Sequence, residues 1–221
     1  LERIARVIGS AEPDLVALQE VDQGTGRTNK VDQPAELARL TGMEVVFGKC
    51  IDFDGGAYGN AVLSGLPILS HANELLPRLD EGEQRGVLSV VIDLPGDHPP
   101  LCFLATHLDH RRSDRERIAS AKMINALIAE RKASPAILAG DLNDVPQSRT
   151  LEELRKQWRR TSEEPLPTVP VRNPTKQIDY VLVRPAKAWR VVTTEVLTES
   201  VASDHRAVLS VLQLLDPAVD D

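Results

Sequence analysis

Apolar positions along the chain follow two periods. Leu1, Ile4, Ile8 and Ala11 recur at helical spacing with Val7 beside them. The chain therefore opens on an amphipathic helix that is already under way at residue 1, has no N-cap before it, and ends at Pro13-Asp14. Residues 15–19 follow as a continuous apolar strand closed by Glu20, and the polar, Gly-containing stretch 21–32 reads as a long loop. Pro34 starts a short helix through Leu40 with Gly42 as its C-terminal cap, and 45–49 is a strand. Further strands are expected over 60–64, 87–94, 101–108 and 136–142. Pro and Gly between the first three of these, without a helical pattern, predict an antiparallel meander. Ser113 and Glu116 suggest a capping box before a long helix whose buried stripe is Ile118, Ala121, Ile124 and Ile128. A shorter helix carries Leu151, Leu154 and Trp158, and the Pro-rich stretch 159–174 reads as an irregular exposed loop. Strands over 178–183, 191–197 and 207–214 precede an acidic, frayed tail, 216–221.

The sum is about nine strands and four helices. Several strands are apolar at nearly every position, so both of their faces are covered. Two sheets packed face to face with helices outside satisfy that requirement. The length, 221 residues, suits one domain spanning 1–221. Aromatic residues make up 3%, so the core is aliphatic. The net charge of -7 argues against strong generic affinity for nucleic acid, which needs Lys and Arg, but is compatible with a local positive field or a bound cation. Cys50 and Cys102 lie in apolar, strand-like settings and read as buried thiols rather than a metal motif or a disulfide framework. No apolar run reaches membrane-spanning length and no signal peptide is visible.

Polar residues recur where apolar strands end. Glu20 closes the first strand, His107 and Asp109 flank the end of 101–108, and Asp179 interrupts the start of another apolar strand. Asp204-His205 immediately precedes the last strand. Gly140-Asp141-Leu142-Asn143 ends 136–142, and Asp141 and Asn143 alternate with Leu142, which places acid and amide on one face of an extended backbone. Such a pair suits hard-cation or water chemistry, and Asp, Asn and Gly are equally common in turns.

The ordered set is more specific than any member. Leu18-Gln19-Glu20, Gly59-Asn60-Ala61-Val62-Leu63-Ser64, Ala105-Thr106-His107-Leu108-Asp109, Gly140-Asp141-Leu142-Asn143, Gln177-Ile178-Asp179-Tyr180 and Ser203-Asp204-His205 resemble, in this order, the endonuclease/exonuclease/phosphatase superfamily. That group includes deoxyribonuclease I, abasic-site endonucleases, inositol polyphosphate 5-phosphatases and neutral sphingomyelinases. The resemblance runs from residue 1 to about residue 214. It implies an α+β fold, a four-layer α/β/β/α sandwich of two mainly antiparallel sheets, and metal-dependent hydrolysis of phosphate esters. The implied cofactor is Mg²⁺, with Mn²⁺ as the alternative. By the same resemblance Glu20 looks like the principal metal ligand and Asp204 the second metal-side carboxylate. Asp141 would position or deprotonate the attacking water and Asn143 would orient water or a phosphate oxygen. His205 would stabilise charge on the phosphate while held by Asp179, and His107 would contact phosphate or assist the leaving group. Asn60 is a candidate substrate contact or a structural amide. Asp109 is a further candidate, as are Arg27 and, for substrate phosphate, Arg85, Arg111 and Arg112.

One departure accompanies the resemblance. The family pattern starts with a strand ending in asparagine ahead of the first helix, and Leu1-Glu2-Arg3-Ile4 resembles that helix's opening turn. The expectation is a domain truncated at its N-terminus, so the compartment stays open, cytoplasmic by default with export not excluded. The favoured reading is a monomeric phosphoesterase acting on a small or lipid-linked phosphate ester. A metal-dependent nuclease on DNA or RNA and a catalytically weakened binding protein are the alternatives.

Overall fold

A computed structural model describes residues 1–79, 81–130 and 134–215. In chain order these form α1 (Glu2–Ala11), β1 (Leu15–Gln23), a 3-10 turn (Gly26–Thr28), α2 (Gln33–Thr41), β2 (Glu44–Phe53), β3 (Gly56–Ser64), β4 (Ile68–Leu75), β5 (Gly86–Ile92) and β6 (Leu101–His107). There follow α3 (Arg115–Ala129), β7 (Ala136–Asp141), α4 (Arg149–Leu154), β8 (Arg159–Arg160), β9 (Asp179–Arg184), β10 (Trp189–Val196) and β11 (Val208–Leu214).

Alternation along the strands builds the layers. β6 is buried at every position, and its side chains divide between two cores. Cys102 and Leu104 face outward with Leu138, Leu182, Ala121, Ile124 and Leu151, under α3 and α4. Leu101, Phe103 and Ala105 face inward with Ile137, Ala139, Val183, Val62 and Val46, between the sheets. A third core sets Ala5, Ile8 and Leu37 of the first two helices on Leu63 of β3. Full burial of each such aliphatic side chain stabilises by about 1.5–3 kcal/mol. The result is the four-layer α/β/β/α arrangement.

One layer is a six-stranded sheet, β4-β5-β6-β7-β9-β8, antiparallel except for the parallel pair β6 and β7, which α3 connects. The facing layer holds two ladders, β1-β3-β2 and β10-β11. β1 packs across onto β6 and β7, and β11 onto β9. Among the described residues no ladder joins β1 to β11.

Several local expectations are corrected. β3 does not start a meander with β5: it pairs with β1 and β2, and the meander is β4-β5-β6. β4 is an edge strand whose outward positions are exposed, so its sequence lacks an apolar run. The stretch 21–32 is not all loop, because β1 continues to Gln23 beyond a bulge and buries Asp22. Ser113 and Glu116 form no capping box. Asp114 is the N-cap but its carboxylate caps no helix N–H and accepts from Arg149 instead, while the buried Glu116 carboxylate accepts from the Leu79 N–H and from Arg111. Trp158 lies beyond α4 yet is buried, as a loop anchor. Part of 159–174 is ordered as β8, and Thr168 within it is fully buried. The acidic tail, 216–221, lies outside the described residues.

Candidate active site

Three strands of the large sheet end in one row. His107 of β6 is the register partner of Asp141 of β7, which is the partner of Asp179 of β9. All three continue the inward-facing set of their strands, the set that carries Phe103, Ile137 and Val183. Their side chains therefore emerge at the rim of the inter-sheet core, where burial is high and one side stays open.

Gly140 makes this row possible. It lies at φ 151°, and a Cβ there would sit 1.9 Å from the Thr106 carbonyl oxygen. Only glycine lets β7 come this close to β6 just before Asp141. Asn143, at φ 50°, then turns the chain back. Its backbone N–H donates to Asp141 Oδ1 at 2.8 Å and its side-chain amide to the Leu108 carbonyl at 2.9 Å.

Glu20 reaches the row from the opposite sheet. Leu18 pairs with Ala61 and Val21 with Gly59, so Gln19 and Glu20 together oppose Asn60 in a bulge. Glu20 has φ 58°. Regular alternation would leave Glu20 on the same face as Val16 and Leu18, under the helices. Instead Oε1 comes to 3.9 Å from His107 Nδ1, with the side chain 64% exposed.

His205 comes from the segment before β11. Its Nδ1 lies 3.0 Å from Asp179 Oδ2. The buried Thr168 hydroxyl donates to the same Asp179 oxygen. Arg206 holds this segment down through its N–H to the Thr168 carbonyl and its guanidinium to the Val171 carbonyl. The sequence reading missed Thr168, which sits in a stretch that looked like exposed loop.

The electrostatics divide the groups sharply. Burial, reinforced by Asp179 nearby, pushes the Asp141 carboxyl up to about 7, against the Asn143 N–H and the cations His205 and Arg85. The hydrogen bond from His205 to Asp179 outweighs burial and raises His205 to about 9. Burial, then the neighbouring Arg85, His205 and His110, push His107 down to about 3. His107 Nε2 lies 3.4 Å from Asp141 Oδ2 and its Nδ1 3.1 Å from Arg85 Nη1. Near neutral pH the site thus holds a cationic His205, a neutral His107 and an Asp141 close to its titration point.

Among the described residues, Asp141, Asp179 and His205 are close enough to share one cation, with ligand atoms within 4.8 Å of one another. Glu20 touches the cluster only through His107, and Asp204 is exposed, its carboxylate meeting the Ser203 hydroxyl at 3.4 Å.

The remaining candidates separate by burial. Asn60 is buried and donates its amide to the Gly86 carbonyl at 3.0 Å, a tie between the sheets. Asp109 is buried against Arg111, which also binds Glu116. Arg85 is buried among His107, His110 and Glu83. These positions do not face an open site. Arg27 is half-exposed: it pairs with buried Asp22, lies over the Phe53 and Tyr58 rings, and keeps 47% of its side chain exposed. Arg112 is exposed as well.

Known proteins match this chain in family and in fold. A model described as Endonuclease/Exonuclease/phosphatase family matches residues 1–205. An uncharacterised protein of Escherichia coli K12, YbhP, is 28% identical over 184 residues, 80% of this chain and 72% of that protein. The crystal structure of an endonuclease/exonuclease/phosphatase from Beutenbergia cavernae superposes with a TM-score of 0.77 at 26% identity, over 97% of this chain and 66% of that one. A mannosyl-6-phosphatase of Bacteroides thetaiotaomicron shares the fold at 18% identity, with a TM-score of 0.81 over 96% and 90% of the two chains.

Proposed function

This chain belongs to the endonuclease/exonuclease/phosphatase family, hydrolases of phosphoester bonds, and from that footing we propose a Mg²⁺-dependent phosphoesterase acting on a small or lipid-linked phosphate ester. One observation carries the reading: the row His107, Asp141 and Asp179 with His205 bound to Asp179. It sets a carboxylate near its titration point beside a histidine held cationic, as water attack on a phosphate anion requires.

The donor set fits a hard cation. Asp141, Asp179 and His205 present ligand atoms within reach of one cation, Glu20 and Asp204 add exposed carboxylates, and the burial that raises Asp141 is offset by a positive charge placed beside it. Glu20 and Asp204 are the proposed holders. A bound Mg²⁺ supplies Lewis-acid neutralisation of phosphate charge.

The chain's own residues supply the rest. Asp141 takes a proton from the attacking water, with Oδ1 fixed by the Asn143 N–H. Asn143 holds the corner that aims Asp141 and its side chain ties the corner to β6. His205, held by Asp179, faces the developing negative charge. His107 offers a neutral ring beside Asp141. Arg27, half-exposed beside Asp22, is the proposed contact for anionic parts of the substrate. The net charge of -7 and the 3% aromatic content favour a small or lipid-linked ester over nucleic acid.

The test is a panel of sugar phosphates, inositol phosphates, phospholipids and DNA and RNA strands, assayed with Mg²⁺ and Mn²⁺ beside Asp141→Asn and His205→Ala. Turnover of a small or lipid-linked ester that both substitutions abolish is expected. Nucleic acid as the sole substrate would replace the reading, and activity indifferent to both substitutions would end it.

A further inference from the structure

Arg85, at the entry to β5, is 7% exposed and lies behind His107 rather than in the open site. Nη1 is 3.1 Å from His107 Nδ1 and 2.6 Å from Glu83 Oε1, and Nη2 is 3.4 Å from His110 Nδ1. Both terminal nitrogens are thus engaged, and Glu83 balances the charge. A guanidinium has donors and no acceptor. The ring nitrogen that faces it must present a lone pair, so Nδ1 of His107 is unprotonated and the ring proton sits on Nε2. Nε2 is the atom turned toward Asp141 Oδ2, 3.4 Å away. His205 has the reverse arrangement, its Nδ1 facing the Asp179 carboxylate, which selects a proton on that nitrogen.

We propose that Arg85 is a positioning residue that locks His107 as the Nε2–H tautomer, so that its ring donates toward Asp141. The inference deepens the phosphoesterase reading and rests on it. Without Arg85 the neutral ring exchanges between tautomers, and part of the population turns a lone pair toward the Asp141 carboxylate. That fraction repels the carboxylate and offers no donor. The same geometry explains why Arg85 is not a substrate ligand: it is buried, with no terminal nitrogen turned to the open site.

Histidine-ring ¹H–¹⁵N NMR on the metal-free, substrate-free protein at about pH 8, where His107 is neutral, tests the assignment. The His107 signals are identified by their loss in His107→Gln. The wild type should show the Nε2–H pattern, and Arg85→Met should move His107 toward an averaged or Nδ1–H pattern while leaving His205 in place. An Nδ1–H pattern in the wild type, or an unchanged His107 in folded Arg85→Met, would overturn the proposal. Should Arg85→Met fail to fold by circular dichroism, Arg85→Lys, which keeps a cationic donor, carries the test. It should retain Nε2–H, and loss of that pattern would overturn the assignment. In turnover, Arg85→Met should lower kcat by about tenfold to a hundredfold with KM nearly unchanged. A raised KM at constant kcat would instead identify a phosphate ligand and overturn the positioning role. The spectra need no turnover, so a chain inactive on every phosphoester fails the functional reading, while a wrong tautomer fails this one.

Discussion

His205 Nδ1 sits 3.0 Å from Asp179 Oδ2, and the pair joins the two layers of the sandwich at the candidate active site. Asp179 begins β9 of the large sheet, and His205 precedes β11 of the other layer. The hydrogen bond raises His205 from 6.5 to about 9. Activity that uses the cation should fall as pH rises through about 9. Asp179→Asn should move that alkaline limb down toward 6.5, which kcat/KM against pH would show. The sign for stability is the same. A histidine raised on folding contributes stability that is complete below 6.5 and lost as pH rises through about 9, so the melting deficit of Asp179→Asn should shrink across that window. A deficit that does not change with pH would contradict this.

Asp141 should set the acid limb. Its carboxyl is raised from 3.8 to about 7, so the base form disappears below neutrality. Asp141→Asn should lower turnover by about 10²–10⁴-fold. The raised value also means that the buried carboxylate destabilises the metal-free fold above pH 7, since the group's stability contribution is present below 3.8 and lost through about 7. The inactive amide variant should therefore melt higher than the wild type at about pH 8, each kcal/mol being worth about 2–4 °C for a chain of this size. A lower melting temperature for a well-folded variant would refute the account.

Metal binding should be visible without substrate. Saturating Mg²⁺ stabilises the state that binds it, by about 2.7 kcal/mol at a hundredfold excess over Kd, or roughly 5–10 °C. Thermal unfolding should show that rise in the wild type and its loss in Glu20→Gln. An undiminished rise in that variant would remove Glu20 from the metal site.

Gly140→Ala should be the most damaging single methyl. A Cβ at this φ meets the Thr106 carbonyl at 1.9 Å, and neither backbone can move without breaking the β6–β7 ladder. A loss of about 4 kcal/mol or more is expected, read by urea unfolding. Alanine at Gly9, inside α1 with open space around it, is the control and should hold or raise stability, by up to about 1 kcal/mol.

The sequence carried the sandwich because its signals are local. Apolar runs at 101–108 and 136–142 demand cover on both faces, and β6 and β7 are buried at every position. Strands whose outer face is exposed left no such run, which is why β4 was missed. The order of the acid, amide and histidine motifs was likewise legible, with His107 and Asp141 at strand ends and Asp179 at a strand start, whereas Glu20 lies in a bulge within β1 and Asn60 inside β3. Glu116 was misread because a capping box and a buried ion pair use the same residue types, and only packing against Arg111 separates them.

Sequence by itself determined which candidate acids and histidines the chain carries and in what order its strands deliver them. Tertiary structure alone decided their aim and their charge. The bulge at Gln19–Glu20 turns Glu20 away from the helix-covered face, an outcome of pairing with β3 that no local pattern encodes. Arg85, read as a candidate for phosphate, is buried behind His107, and Thr168 is buried behind Asp179. The opposed protonation of His107 and His205 follows from those neighbours, because a histidine's charge is set by what long-range folding places beside it.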